Sequence, residues 1–153
     1  ATALLLAQRE KEIESKKLTL LRNYFIEKIR KKIPEVTLNG PNIISDHNHK
    51  KNQTEPARLP NNISLTFPKC DGEALVLYLD TLNIAVSTGS ACATDELDPS
   101  HVLLSLGKKE TDAKATIRLT LGKATNKADL DYTLAVLPKL VSLIQSSTNE
   151  LLL

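Results

Sequence analysis

Cysteine is scarce in this chain of 153 residues: only Cys70 and Cys92 occur, without CxxC spacing and without the paired pattern of a secreted disulfide framework. The simplest reading is two free thiols in a reducing compartment, which makes the cytoplasm the expected location. An excess of one charge is lacking as well. The net charge of +2 is small, and acids are interspersed with bases, so no direct nucleic-acid partner is expected. The local basic run Arg30, Lys31 and Lys32 suits a helix end, where cations complement the dipole. Long apolar runs are also missing. Leu4 to Leu6 begin a short apolar patch with no basic region before it, and Arg9 to Lys17 turn highly charged at once, so neither a signal peptide nor a membrane span is read. There is no internal repeat. Ala1 stands where an initiating methionine would, as in a chain cut from something longer, trimmed or processed.

What is present is ordinary for a folded protein, with 41% hydrophobic and 25% charged residues. A domain of this length buries roughly 68–70% of its unfolded surface, enough for a core without metal or disulfide. Leu18, Leu21, Phe25 and Ile29 recur at helical spacing, which predicts a long amphipathic helix over 13–33, ended by Pro34. Val36 to Leu38 reads as a short strand closed by the turn Asn39, Gly40 and Pro41. The segment from Ser45 to Pro60 is polar, aperiodic and read as a solvated loop. His47 and His49 lie in it without the cysteine or carboxylate neighbours that a metal site needs, so no metal is expected.

Ile63, Leu65 and Phe67 alternate with Ser64 and Thr66, the pattern of a strand with one buried face, and Pro68 stops it. Asp71 is placed to cap a helix whose Leu75, Leu79 and Leu82 face a core, and Ile84 to Ser87 read as a short buried strand. Thr88 to Glu96 is an aperiodic loop of small and polar residues. Asp98 and Pro99 signal a further helix that Gly107 ends. Ile117, Leu119 and Leu121 alternate with Thr116, Arg118 and Thr120, which puts an arginine between two threonines on the polar face of a strand. Asn126 and Asp129 open a last helix through Leu130, Leu134, Leu137, Val141 and Ile144, with Pro138 expected to kink it. The order of elements predicts an α+β fold, a small mixed or antiparallel sheet with helices over one face.

Two side chains carry possible chemistry. Cys92 falls in the run Ser87, Thr88, Gly89, Ser90, Ala91, Cys92, Ala93, a small-residue loop with nothing in it to bury a thiol. Cys70, beside Pro68 and Asp71 at a strand end, reads as structural.

The run from Ala85 to Leu104 resembles the active-site loop of group I cysteine desulfurases: a short strand, then Ser-Ser-Gly-Ser-Ala-Cys, a polar stretch, Leu-Glu-Pro-Ser and a helix. Here it reads Val86, Ser87, Thr88, Gly89, Ser90, Ala91 and Cys92, then Leu97, Asp98, Pro99 and Ser100. Pro60 to Phe67, Asp71 to Glu73 and Ile117 to Gly122 match in the same order, so the likeness runs from about Val36 to Ile144. Thr88, Ala93, Leu119 and Lys123 depart from the common residues of the pattern, Lys123 replacing an arginine.

The resemblance implies a pyridoxal-phosphate-dependent, homodimeric enzyme of the class V aminotransferase type. It would take sulfur from L-cysteine as a Cys92 persulfide, release L-alanine, and pass the sulfur to an acceptor protein in iron–sulfur cluster assembly or tRNA thiolation. It implies that Arg118 grips the substrate carboxylate. His101 follows the motif on a helix, where a solvated or capping role is expected. The residues that bind the cofactor belong to a preceding large domain in that family, so none is expected here, and the isolated chain is expected to be inactive. Residues 1–34 would then be the helix connecting from that domain, and 35–153 the small C-terminal domain with its cysteine loop at 87–99. The competing reading is a free-standing, non-enzymatic thiol relay or protein-binding domain. A selenocysteine lyase is a subordinate alternative.

Overall fold

The computed structural model describes residues 1–41, 58–88 and 99–150. Helix α1 spans Thr2–Lys32, well beyond the apolar stretch that predicted it. Only its second half meets the core, through Leu18, Phe25, Ile26 and Ile29, while Leu4, Leu5, Leu6 and Ile13 are exposed. Ile33 leaves the helix ahead of Pro34, and the chain turns into β1 (Thr37–Leu38).

Among the described residues four strands form one antiparallel sheet in the order β1-β2-β4-β3, with β2 at Asn62–Thr66, β3 at Ser87–Thr88 and β4 at Thr116–Thr120. The centre is the β2–β4 ladder, which pairs Ile63 with Leu119 and Leu65 with Ile117. These four side chains point to one face and are buried there. Helices α1, α2 (Gly72–Thr81) and α5 (Lys127–Glu150) cover that face with Leu75, Leu79, Leu134, Leu137 and Val141. The α+β arrangement predicted from the order of elements is thus the one that forms.

Local signals fix the helix starts. Asp71 accepts hydrogen bonds from the Glu73 and Ala74 amides, capping α2. At α5, Asn126 Oδ1 accepts from the Ala128 and Asp129 amides while Asp129 Oδ2 accepts from the Asn126 amide, a reciprocal capping box. Gly72 has a second role: a Cβ there would lie 2.4 Å from the Lys114 carbonyl oxygen. Helix α3 (His101–Ser105) ends as expected at Gly107, whose φ of +79° lets the Lys108 amide reach the Leu103 carbonyl and its own amide reach Leu104.

Several expectations need correction. The third strand is Ser87–Thr88 rather than 84–87: Asn83 takes a left-handed conformation and the Ile84 amide still bonds the Leu79 carbonyl, so the chain reaches β4 only at Ser87. Leu82, expected on the core face, is half-buried. A short helix α4 (Glu110–Lys114) was not predicted, since only Ala113 of its residues is buried. Asp98, the expected cap of the third predicted helix, lies outside the described residues, and that helix begins after Ser100.

Candidate functional site

The face of the sheet turned away from α1, α2 and α5 is polar. Alternation places Ser64, Thr66, Thr116, Arg118 and Thr120 on it. Cross-strand pairing sets Arg118 directly opposite Ser64 on one side and Ser87 on the other. A hydrogen-bonded chain occupies the neighbouring groups: Asn39 Nδ2 donates to Ser64 Oγ at 3.1 Å and Thr66 Oγ1 at 3.0 Å, and the hydroxyls of Thr66 and Thr116 lie 2.7 Å apart. Thr116 in turn donates to the Asp112 carbonyl at 2.7 Å, so the unpredicted α4 holds this end of the face.

Over this face opens a cleft of about 270 Å³. Its floor is Ser64, Thr116 and Arg118; the turn at Asn39–Pro41 with Arg58 and Leu59 makes one wall, and Val102, Leu103 and Leu106 make an apolar one. No aspartate or glutamate is among its described lining residues. Arg118 is exposed in it and has no hydrogen bond or ion pair with any described side chain. Among the described residues, then, no carboxylate occupies the Arg118 guanidinium.

Two arginines that the sequence did not single out shape one wall. Arg22 sits on the buried stripe of α1 and donates to the Leu59 carbonyl at 2.7 Å and the Arg58 carbonyl at 3.3 Å. Arg58 belongs to the segment read as a solvated loop, yet it is half-buried, with its guanidinium bonded to backbone carbonyls. Burial, and then the positive charges of Arg22 and Arg30, hold its pKa below the usual guanidinium value. A position on the apolar stripe of α1, between Leu18 and Phe25, was the available signal for Arg22. Arg58 had no such signal.

Cys92 lies outside the described residues, as do His47 and His49. The described residues on either side of the Cys92 segment are informative all the same: Ser87 and Thr88 pair with β4 at Arg118 and Ile117, and Ser100 lines the Arg118 cleft. Cys70 is buried, and desolvation followed by the Asp71 charge pushes its thiol up to about 11, so it stays protonated at neutral pH and is a poor nucleophile. His101 is exposed on α3. Lys123 forms an ion pair with Glu10 and its carbonyl accepts from Lys17 Nζ at 2.7 Å, tying the end of β4 to α1. Among the described residues no cluster of histidine, cysteine and carboxylate side chains is placed to hold a metal ion, and no helix is long and apolar enough to cross a membrane.

The model of the aminotransferase class-V family matches residues 14–133. The chain belongs to that family. This class-V aminotransferase chain is 45% identical over 139 residues to cysteine desulfurase IscS of Clostridium botulinum, an alignment that takes in 91% of this chain and 32% of that protein. Against cysteine desulfurase IscS of Dictyoglomus turgidum the identity is 42% over 146 residues, covering 95% of this chain and 33% of the relative. The chain thus spans about a third of the length of these curated relatives. Among solved structures, the NifS-like protein from Rickettsia africae superimposes with a TM-score of 0.70 at 26% identity, over 90% of this chain and 31% of that one.

Class-V aminotransferases imply pyridoxal phosphate, whose aldehyde needs a lysine amine to hold it. No lysine is among the described residues lining the Arg118 cleft. Every described lysine is exposed except Lys108, which is half-buried and does not line the cleft. The described residues of this chain do not supply the cofactor's anchor.

Proposed function

We propose that this chain is the C-terminal part of a cysteine desulfurase, contributing the substrate-carboxylate site and the sulfur-accepting thiol. The observation that carries this reading is the exposed Arg118 in a cleft with no aspartate or glutamate among its described lining residues, with Ser87 and Ser100, from the two sides of the Cys92 segment, beside it. The Arg118 guanidinium fork matches the carboxylate of L-cysteine in charge and in planar, bidentate geometry. Its apolar wall leaves room for a small substrate side chain.

In this reading sulfur passes from L-cysteine to Cys92. The carbon–sulfur bond of the substrate breaks, a sulfur–sulfur bond forms on Cys92, and the carbon takes a proton to leave as L-alanine; the persulfide then goes to an acceptor protein of iron–sulfur assembly or tRNA thiolation. Pyridoxal phosphate is held by residues outside this chain, in a larger domain that precedes it, with residues 1–34 as the connecting helix and 35–153 as the small domain. The exposed Leu4, Leu5, Leu6 and Ile13 of α1 suit contact with such a domain. The full protein works in the cytoplasm as a homodimer.

The test is made on the full-length protein supplied with L-cysteine, with alanine release and protein persulfide measured together. Cys92→Ser is expected to abolish the persulfide and leave cofactor absorbance unchanged, whereas Cys70→Ser keeps most of the activity. Persulfide that survives Cys92→Ser and disappears in Cys70→Ser would overturn the assignment.

A further inference from the structure

The wall of the cleft formed by Asn39–Pro41 is not held by strand pairing alone. It is folded around a guanidinium. Arg58 donates from Nε to the Pro41 carbonyl at 3.0 Å, from Nη2 to the same oxygen at 2.8 Å and also to the Asn39 carbonyl, and from Nη1 toward the Asn62 carbonyl at 3.4 Å. Gly40, between the two acceptors, has a φ of +80°, and a Cβ there would come within 3.3 Å of Arg58 Nη2. One side chain therefore fastens the turn to the start of β2, and Arg22 fastens the backbone of Arg58 and Leu59 to α1.

The consequence reaches Arg118 through Asn39. The residue whose carbonyl Arg58 holds is the same one whose side-chain amide donates to Ser64 Oγ, and Ser64 is the direct cross-strand partner of Arg118. Asn39 is buried, so its amide has little freedom once its backbone is fixed. A half-buried cation with two arginines nearby is a costly way to brace a turn, because burial and like charge both disfavour it. What this arrangement secures is the orientation of Ser64 and the position of the wall facing the Arg118 guanidinium.

We infer that Arg58 is a positioning residue for the substrate site: by clamping the Asn39–Pro41 turn it holds Asn39 on Ser64 and sets the Arg118 cleft in its carboxylate-binding shape. This rests on the reading of Arg118 given above. Arg58 touches neither substrate nor reacting atoms, and acts through Asn39 and Ser64.

The test uses the full-length protein, with L-cysteine kinetics and thermal unfolding measured on Arg58→Lys, Arg58→Ala, Arg118→Ala and Asn126→Ala. The last removes the cap of α5, away from the cleft, and serves as a control for loss of stability alone. Arg58→Lys keeps the charge and loses the fork; it is expected to raise KM roughly two- to tenfold, the range of one ordinary hydrogen bond, with kcat within about twofold of the parent. Arg58→Ala is expected to raise KM at least as far, and Asn126→Ala to lower Tm with KM unchanged. If Arg58→Ala fails to fold, Arg58→Lys alone decides. Arg58 variants that lower Tm as the cap variant does, with KM at the parent value, would overturn the inference. Should Arg118→Ala raise KM while Arg58→Lys does not, only the positioning role is lost; should Arg118→Ala leave KM unchanged, the carboxylate site itself is wrong.

Discussion

Replacing Arg118 with alanine separates recognition from folding, because the side chain contributes to one and not to the other. Its strand neighbours Ile117, Leu119 and Leu121 are buried in the core, while Arg118 itself is exposed on the opposite face and bonded to no described side chain. Removal from such a position should change stability by no more than about 0.5 kcal/mol. Loss of a charge-assisted contact to the substrate carboxylate should cost about 1.5–3 kcal/mol, which is roughly a ten- to 150-fold fall in kcat/KM, carried mainly by KM. Arg118→Lys should recover part of this, since it keeps the charge without the planar fork. A second pair of ligands sharpens the assay: inhibition by L-alanine, which has the carboxylate, should weaken in Arg118→Ala, whereas inhibition by ethylamine, which lacks it, should not. Their difference isolates the arginine–carboxylate contact as a coupling. An unchanged KM together with a large drop in Tm would refute the reasoning and make Arg118 a structural residue.

Two further outcomes follow from the packing. Gly72→Ala should destabilise the protein by roughly 1–3 kcal/mol, even though alanine is the better helix former, because its Cβ would meet the Lys114 carbonyl at 2.4 Å; a Tm equal to or above the parent's would contradict this. The Cys70 thiol, raised to about 11, favours the neutral form in the folded state, so its contribution to stability is complete below the ordinary thiol pKa of about 8.5 and is lost as pH rises toward 11. The Tm difference between parent and Cys70→Ala should therefore shift against the parent across that window, and a pH-independent difference would rule the effect out.

The sequence was most legible where structure is set locally. Alternation at Ile63 to Thr66 and at Ile117 to Thr120 reports which face is buried, and Asp71, Asn126 and Asp129 act on amides two or three residues away. The same alternation made Arg118 visible as a polar-face residue. What it could not reveal is the cleft, which needs a turn, a strand and α3 brought together from distant parts of the chain. Arg22 and Arg58 show the limit: the carbonyls that Arg22 satisfies lie 36 and 37 residues away, and nothing in a local window predicts such an acceptor. Helix α4 was missed for the opposite reason, since five residues with one buried alanine give no period to detect.

The proportions of the sheet carry a last consequence, for solubility. Among the described residues its two outer strands, β1 and β3, have two residues each, whereas the inner β2 and β4 have five. A strand edge attracts other chains in proportion to the row of unpaired amides and carbonyls it displays. Two-residue edges give an incoming strand little template, and the longer strands are paired with each other along one edge and in part with β1 and β3 along the other. Among the described residues the edges open to an incoming strand are therefore short, while strand addition between β2 and β4 would first have to break the ladder that the core depends on.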